Sequence, residues 1–248
     1  MKKIKGKHVL IVTSGSSLKK YWDKIKLFID SNDVITIGCN AINDFLIPDY
    51  HLWGSSRRWN KYGKKVSEKS VMVFPPDTKQ SLIRKYWKGS YKTCDISKRL
   101  PGSDIKSHRT IYHYFKSVGM VSILWAYTKK ASRISVVGMD GYTFYPKNDL
   151  KSESNSQHCY GSGFTDGQDY AWCREKDRRN EKIMKNLYNY GKKKYGFHFQ
   201  IITPTVHEEY YDPSILDIEE KYMGEKISKK DKTLKIRRKG KFKYSQKW

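Results

Sequence analysis

Paired cysteines, long apolar runs and acidic residues are what this chain lacks, and each shortage narrows the possibilities. The four cysteines, Cys39, Cys94, Cys159 and Cys173, are scattered without a C-x-x-C pair. That spacing argues against a disulfide scaffold and a zinc site, and reduced thiols are expected. No apolar run approaches the roughly 18 residues of a spanning helix, and no charged-then-apolar leader opens the chain, so a cytosolic protein is expected. There is no Asp-x-Asp pair and no internal repeat. Acids are outnumbered, 25 Asp+Glu against 50 Lys+Arg in 248 residues, for a formal charge of +25. An excess of that size implies an anionic partner.

Part of the excess is local. Residues 224–248 hold 11 Lys or Arg and two acids, so nine net positive charges lie in the last 25 residues. There Lys235, Arg237, Arg238, Lys239, Lys241 and Lys243 alternate with Phe242 and Tyr244. Such a tail suits an anionic membrane surface, nucleic-acid phosphate, or simple solvation as a disordered segment. The remainder has the length and β-α alternation of one α/β domain. The expected organisation is a domain over residues 1–222, with a lid-like insertion at about 141–174, and a basic tail over 223–248.

The most telling stretch is Lys7 to Leu18, an apolar strand running into Ser14-Gly15-Ser16-Ser17 and then a helix. Small residues there would let a backbone approach a phosphate, and the N–H groups of the first helical turn would supply donors. The turn contains neither G-x-G-x-x-G nor G-x-x-x-x-G-K-[ST], so it is not a standard phosphate loop. Leu18, Trp22, Ile25 and Phe28 fall at helical spacing behind it. Strands are expected at Val34–Gly38, ending at Cys39-Asn40, and at Asp49–Trp53, ending at Gly54-Ser55-Ser56. In parallel sheets ligands lie beyond the carboxyl ends of strands, so Ser14, Asn40 and Ser55 should converge on one crevice. A strand at Ser70–Phe74 stops at Pro75-Pro76. Helical spacing from Thr110 to Tyr127, interrupted at Ser117-Val118-Gly119, leads to a strand at Arg133–Asp140. Residues 141–172 lack periodicity, as functional loops do. A helix over Glu175–Tyr190 and a last strand over Phe197–Ile202 complete the pattern.

Three features, Val12 through Leu18, Gly38-Cys39-Asn40, and the unit from Ser117-Val118-Gly119 to Gly138-Met139-Asp140-Gly141-Tyr142, together resemble bacterial sialyltransferases of glycosyltransferase family 42. The likeness covers most of Lys7 to Tyr142 and, more loosely, the chain to Pro204. The turn is also similar to that of the pterin diphosphokinase-like Rossmann group. The family resemblance implies a Rossmann-like, GT-A-variant domain with a mostly parallel sheet. It implies transfer of a sugar from a CMP-activated donor to a cell-surface glycan or glycolipid, with inversion and without a metal or other cofactor. It aligns Ser14, with Gly15 and Ser16, with the family's nucleotide-contacting turn, where the family has asparagine at Ser14. Asn40 matches a second nucleotide-contacting asparagine, and Gly54 stands where a third is found, with Ser55 as its substitute. Ser117 and Gly119 fall at the donor-contacting helix start, although Val118 stands near an expected serine. Tyr142 and Tyr145 match the two tyrosines that hold the donor phosphate. The basic tail suits a peripheral place at the inner membrane face, and membrane-associated enzymes of this kind often form homo-oligomers.

Inverting transfer needs a base for the acceptor hydroxyl and donors for the departing phosphate. His158 lies in the loop where the family has its base, and a surface histidine is the plainer reading. His113 is the runner-up, with a core role as its alternative. Asp140 either contacts substrate or caps the N–H groups of the next turn. Arg109 and Lys116 offer charge for an acidic sugar. Asp166-Gly167-Gln168-Asp169 lacks the ligand count of a calcium site. Two other classes remain: an ATP- and magnesium-dependent diphosphokinase, and a nucleic-acid-binding protein without catalysis.

Overall fold

In the computed structural model the described residues are 2–76, 78–94, 117–144, 158–159 and 170–218. Seven strands form one sheet: β1 (His8–Val12), β2 (Val34–Cys39), β3 (Tyr50–Leu52), β4 (Val71–Phe74), β5 (Lys92–Thr93), β6 (Arg133–Val137) and β7 (Phe199–Ile201). Their order is β5-β4-β3-β2-β1-β6-β7 and every pairing is parallel. The chain builds outward from β1 to β5, then returns to the other side of β1 for β6 and β7. The reversal lies between β1 and β6, where an α/β sheet opens a crevice at its carboxyl edge. This is a Rossmann-like α/β arrangement.

The strands read as near-continuous apolar runs because both faces are covered, as parallel sheets require. On β1, Val9 and Ile11 face one side and Leu10 and Val12 the other, all fully buried. The second side is covered by α1 (Ser16–Lys20) and α2 (Trp22–Ser31), through Leu18 and Ile25. The expected single helix is thus two, because Tyr21 leaves helical torsions at φ −109°, ψ 19°. The first side is covered by α5 (Val118–Thr128) and α6 (Tyr170–Tyr195). α5 is buried from Gly119 to Tyr127, so it shows no polar face.

At the β4 edge, α3 (Ser56–Tyr62) and α4 (Gln80–Arg84) pack Trp59 and Ile83 onto Trp53, Phe74 and Trp87. Trp59 meets Trp53 and Phe74 edge-on, each at a centroid distance of 5.0 Å, and its Nε1–H donates to the Leu82 carbonyl at 2.7 Å. Neither helix nor β5 was expected from the sequence, since each is short and β5 is polar. α6 runs farther at both ends than Glu175–Tyr190. Gly191 is inside it rather than at its end, because a Cβ there would sit 2.1 Å from the Tyr127 hydroxyl where α5 and α6 close on each other. The insertion expected to reach residue 174 therefore ends earlier, as α6 starts at Tyr170. The tail at 223–248 lies outside the described residues. No described helix is long and apolar enough to cross a membrane.

Candidate functional site

A cleft of about 280 Å³ opens at the carboxyl edge of the sheet over the β1/β6 reversal. Of the residues expected to form a site, Ser14, Gly15, Asn40, Gly54, Ser55, Ser117, Gly119, Asp140, Tyr142 and His158 all line it. They come from segments spread over more than half the chain, and the parallel topology is what gathers them. Tyr145 lies outside the described residues, as do His113, Arg109 and Lys116.

The Ser/Gly turn itself is not arranged as the motif suggested. Gly15 packs so closely on β6 that a Cβ there would stand 2.2 Å from the Gly138 carbonyl, to which its N–H donates at 2.8 Å. Asp140 then fills the amino end of α1. Its carboxylate accepts from the Ser17 N–H at 2.7 Å, from the Ser16 hydroxyl at 3.0 Å and from the Ser17 hydroxyl. Ser16 is thus committed to Asp140 and is not among the lining residues. The donors expected for a ligand phosphate are satisfied from inside the protein. Burial pushes the Asp140 carboxyl up to about 6 despite these bonds. Asp140 does cap N–H groups, but those of α1 rather than of the turn that follows it.

On the β2/β3 side, Asn40 sits in the left-handed region at φ 55°. Its carbonyl accepts from the buried His51 Nε2–H at 2.6 Å, and its Oδ1 accepts from the Gly54 N–H at 3.0 Å. What the Asn40 side chain can still offer a ligand is its Nδ2–H donors. Ser55 is the N-cap of α3, accepting from the Arg58 N–H at 3.3 Å. That cap starts the turn which carries Arg58 into the cleft. Burial works against the Arg58 charge, and the neighbouring Tyr142 and Tyr62 work for it.

Arg58 reaches His158, its Nη2 donating to His158 Nε2 at 3.0 Å. A guanidinium has no acceptor, so this nitrogen must present its lone pair and the ring must be neutral. Burial, and then Arg58, hold His158 down at about 4, against a weaker opposing hydrogen bond to the Ser14 backbone. The segment is tied to the turn by a bridge from His158 to Gly15 and by the Cys159 N–H donating to the Ser14 carbonyl at 2.9 Å. Of the thiols, Cys39 and Cys159 are pushed up to about 12 by burial. All four cysteines are buried, and none is in a disulfide.

The opposite wall belongs to α6 and the loop after β7, which the sequence reading did not connect with the site. Trp172, Lys176 and Asn180 line the cleft from α6, and His207 lines it from the loop. The 172, 176, 180 spacing is one helical face. It was legible in principle, but the helix had to be known to begin at Tyr170. Tyr142 meets Trp172 edge-on at 5.5 Å, and Lys176 Nζ lies 5.0 Å from the Trp172 ring and 5.9 Å from the Tyr142 ring. The cleft thus has an aromatic wall with an ammonium over it. Asp177 fixes that wall by accepting from the N–H groups of Tyr142 and Thr143 at 2.8 and 2.7 Å. Burial raises the Asp177 carboxyl and pushes the Tyr142 hydroxyl up to about 12. At the back, Ser117, Val118, Gly119 and Met120 bring the amino end of α5 to the cleft, where the Ser117 side chain makes no cap.

Among the described residues no group of three or more His, Cys, Asp or Glu side chains comes together as a metal site would require. The arrangement defines the protein by class alone: a Rossmann-like α/β protein with a polar, cationic and partly aromatic cleft at the sheet's carboxyl edge. No protein-family model matches the chain, and no curated protein matches it.

Proposed function

We propose that the protein is a glycosyltransferase that takes a nucleoside-monophosphate sugar, of the CMP-activated kind, and passes the sugar to a glycan or glycolipid acceptor with inversion. What carries the reading is the cleft's composition: two cations, Arg58 and Lys176, beside the Tyr142–Trp172 wall, at the sheet's crossover. A flat base and an anionic phosphate need such surroundings. Because Asp140 occupies the end of α1, the phosphate belongs with Arg58, Lys176 and the amino end of α5 on the other side of the cleft. The Asn40 amide donors suit the carbonyl and ring-nitrogen acceptors of the base. In the transfer, charge develops on the departing phosphate, and fixed cations that meet it lower the barrier. The basic tail would hold the enzyme near an anionic leaflet that carries its acceptor.

The test is thermal stability and calorimetric binding with CMP, CDP, UDP, ADP and ATP, each with and without magnesium, because a ligand of the folded state alone raises its stability. CMP should bind without needing the metal. Lys176→Ala should weaken it about tenfold, the equivalent of roughly 1.4 kcal/mol. Binding confined to ATP with magnesium would replace this reading with the diphosphokinase. Binding of oligonucleotide alone, weakening steeply with salt, would replace it with a nucleic-acid-binding protein.

A further inference from the structure

We infer that His207, oriented by Glu181, is the general base of the cleft, and that His158 is a positioning residue for Arg58. The inference rests on the glycosyl-transfer reading for its reaction, though not for its geometry. His207 is 2 % exposed, lines the cleft, and has its Nδ1 2.6 Å from Glu181 Oε2. With a carboxylate as partner, the Nδ1 carries the proton and donates it, which leaves the Nε2 lone pair on the other edge of the ring. A histidine whose far nitrogen is held by a carboxylate has the arrangement a base needs, since the carboxylate selects the tautomer and steadies the imidazolium that forms. His158 has the reverse arrangement: its Nε2 lone pair already accepts from a cation, and Arg58 opposes any proton it would take up.

The fold holds His207 firmly. Its N–H donates to Thr205 Oγ1 at 3.2 Å, and Thr205 Oγ1 donates to the Met139 carbonyl at 2.7 Å. The Val206 N–H donates to the Asp140 carbonyl at 2.8 Å. The loop after β7 is therefore fastened to the end of β6, one residue before Gly141. From α6, Glu181 meets the ring at Nδ1, and His207 partly offsets the burial that raises the Asp177 carboxyl. From the turn Glu208–Tyr210, Tyr210 and Glu209 share the surroundings of Glu181. Lys176 is the cation on the facing stretch of α6. In the step itself the acceptor hydroxyl proton passes to His207 Nε2 and the acceptor oxygen bonds to the anomeric carbon. The anomeric carbon–oxygen bond to phosphate breaks with its electron pair on the phosphate, so CMP leaves as the anion.

Two readouts test this on the full-length protein. The first needs no nucleotide: NMR of the protein labelled with 15N-histidine, from pH 6 to 8. The neutral ring is expected to carry its proton on Nδ1, toward Glu181. A neutral ring with its proton on Nε2 would overturn the assignment. The second is CMP release from CMP-sialic acid with a lactoside acceptor. His207→Gln should lower kcat about 100-fold or more, the usual worth of a positioned base, with donor KM within about threefold. Glu181→Gln, which still accepts from Nδ1–H but cannot steady the imidazolium, should lower kcat with donor KM within about threefold. His158→Gln should mainly raise donor KM. Full kcat in His207→Gln with loss in His158→Gln would overturn the assignment. Absence of CMP binding would defeat the donor reading instead, and the tautomer would still decide for or against His207.

Discussion

Two helices point their amino ends at the same cleft, α1 through Gly15-Ser16-Ser17 and α5 through Ser117-Val118-Gly119, and they are used in opposite ways. The α1 end has the sequence of an anion site and is closed by the carboxylate of Asp140. The α5 end has an unremarkable sequence and opens on the cleft with no side-chain cap from Ser117. A helix terminus binds a ligand only if nothing in the protein has already taken its donors. Which of two ends is vacant is a matter of what lies 120 residues away in the chain.

The comparison can be broken at its closed end. Asp140→Ala leaves the buried Ser17 N–H without its acceptor and removes the partner of the Ser16 and Ser17 hydroxyls, and should cost about 2–4 kcal/mol in chemical denaturation. Inorganic phosphate, which the open α5 end already offers a site in the wild type, should stabilise the variant by more than it stabilises the wild type, because the vacated α1 end would then resemble its α5 counterpart.

Acid should act next, since Asp140 and His158 lie at the α1 end, His51 lies on β3 against the Asn40 carbonyl, and none of the residues at the α5 end titrates. Burial, with Arg58 for His158, holds His51 and His158 at about 4, below their ordinary 6.5. Depressed histidines contribute stability that is present above 6.5 and lost as pH falls toward 4. Asp140 runs the other way: its carboxyl is raised to about 6, so its contribution is present below 3.8 and lost as pH rises through 6. Among these three groups the net is about one proton taken up on unfolding, or roughly 1.4 kcal/mol per pH unit lost on acidification in that window. His8, also held at about 4 by burial and then Arg133, adds to that loss, and the raised Asp177 opposes it. Removing the opposing group in Asp140→Asn should steepen this loss, as followed by denaturant midpoints from pH 7 to 4.

Smaller effects sharpen the contrast. Ser17→Ala removes a buried hydroxyl that donates to Asp140 and should cost about 1–2 kcal/mol. Ser117→Ala removes a hydroxyl that makes no cap and should stay within about 0.5 kcal/mol, a typical surface-scale change. Equal costs for the two serines would remove the distinction between the ends.

Much of the fold was legible. Six of the seven strands, all but β5, followed from their apolar runs, and the crevice followed from three strand ends in small polar residues. Ten of the residues expected at the site do meet there. The misses share a cause. α3, α4 and β5 are too short or too polar for periodicity to register; α3 and α4 are held by the aromatic cluster around Trp59 and β5 by its pairing with β4, rather than by their own pattern. α6 was cut short because Tyr170-Ala171-Trp172 reads as loop and Gly191 reads as a stop. Arg58 and Lys176 were two cations among fifty, with nothing local to single them out. His207 followed the last strand, beyond the region where a site was sought.

The amino-acid sequence by itself determined the alternation of buried strands and covering helices, because hydrophobic periodicity is a local property of each segment. It determined the charge excess for the same reason. Only the tertiary structure decided which donors are spent and which remain, pairing Asp140 with α1, Arg58 with His158 and Glu181 with His207. Those pairings join residues 123, 100 and 26 positions apart. Hydrogen bonds of a few ångströms between such distant positions exist only once the sheet has brought the segments together.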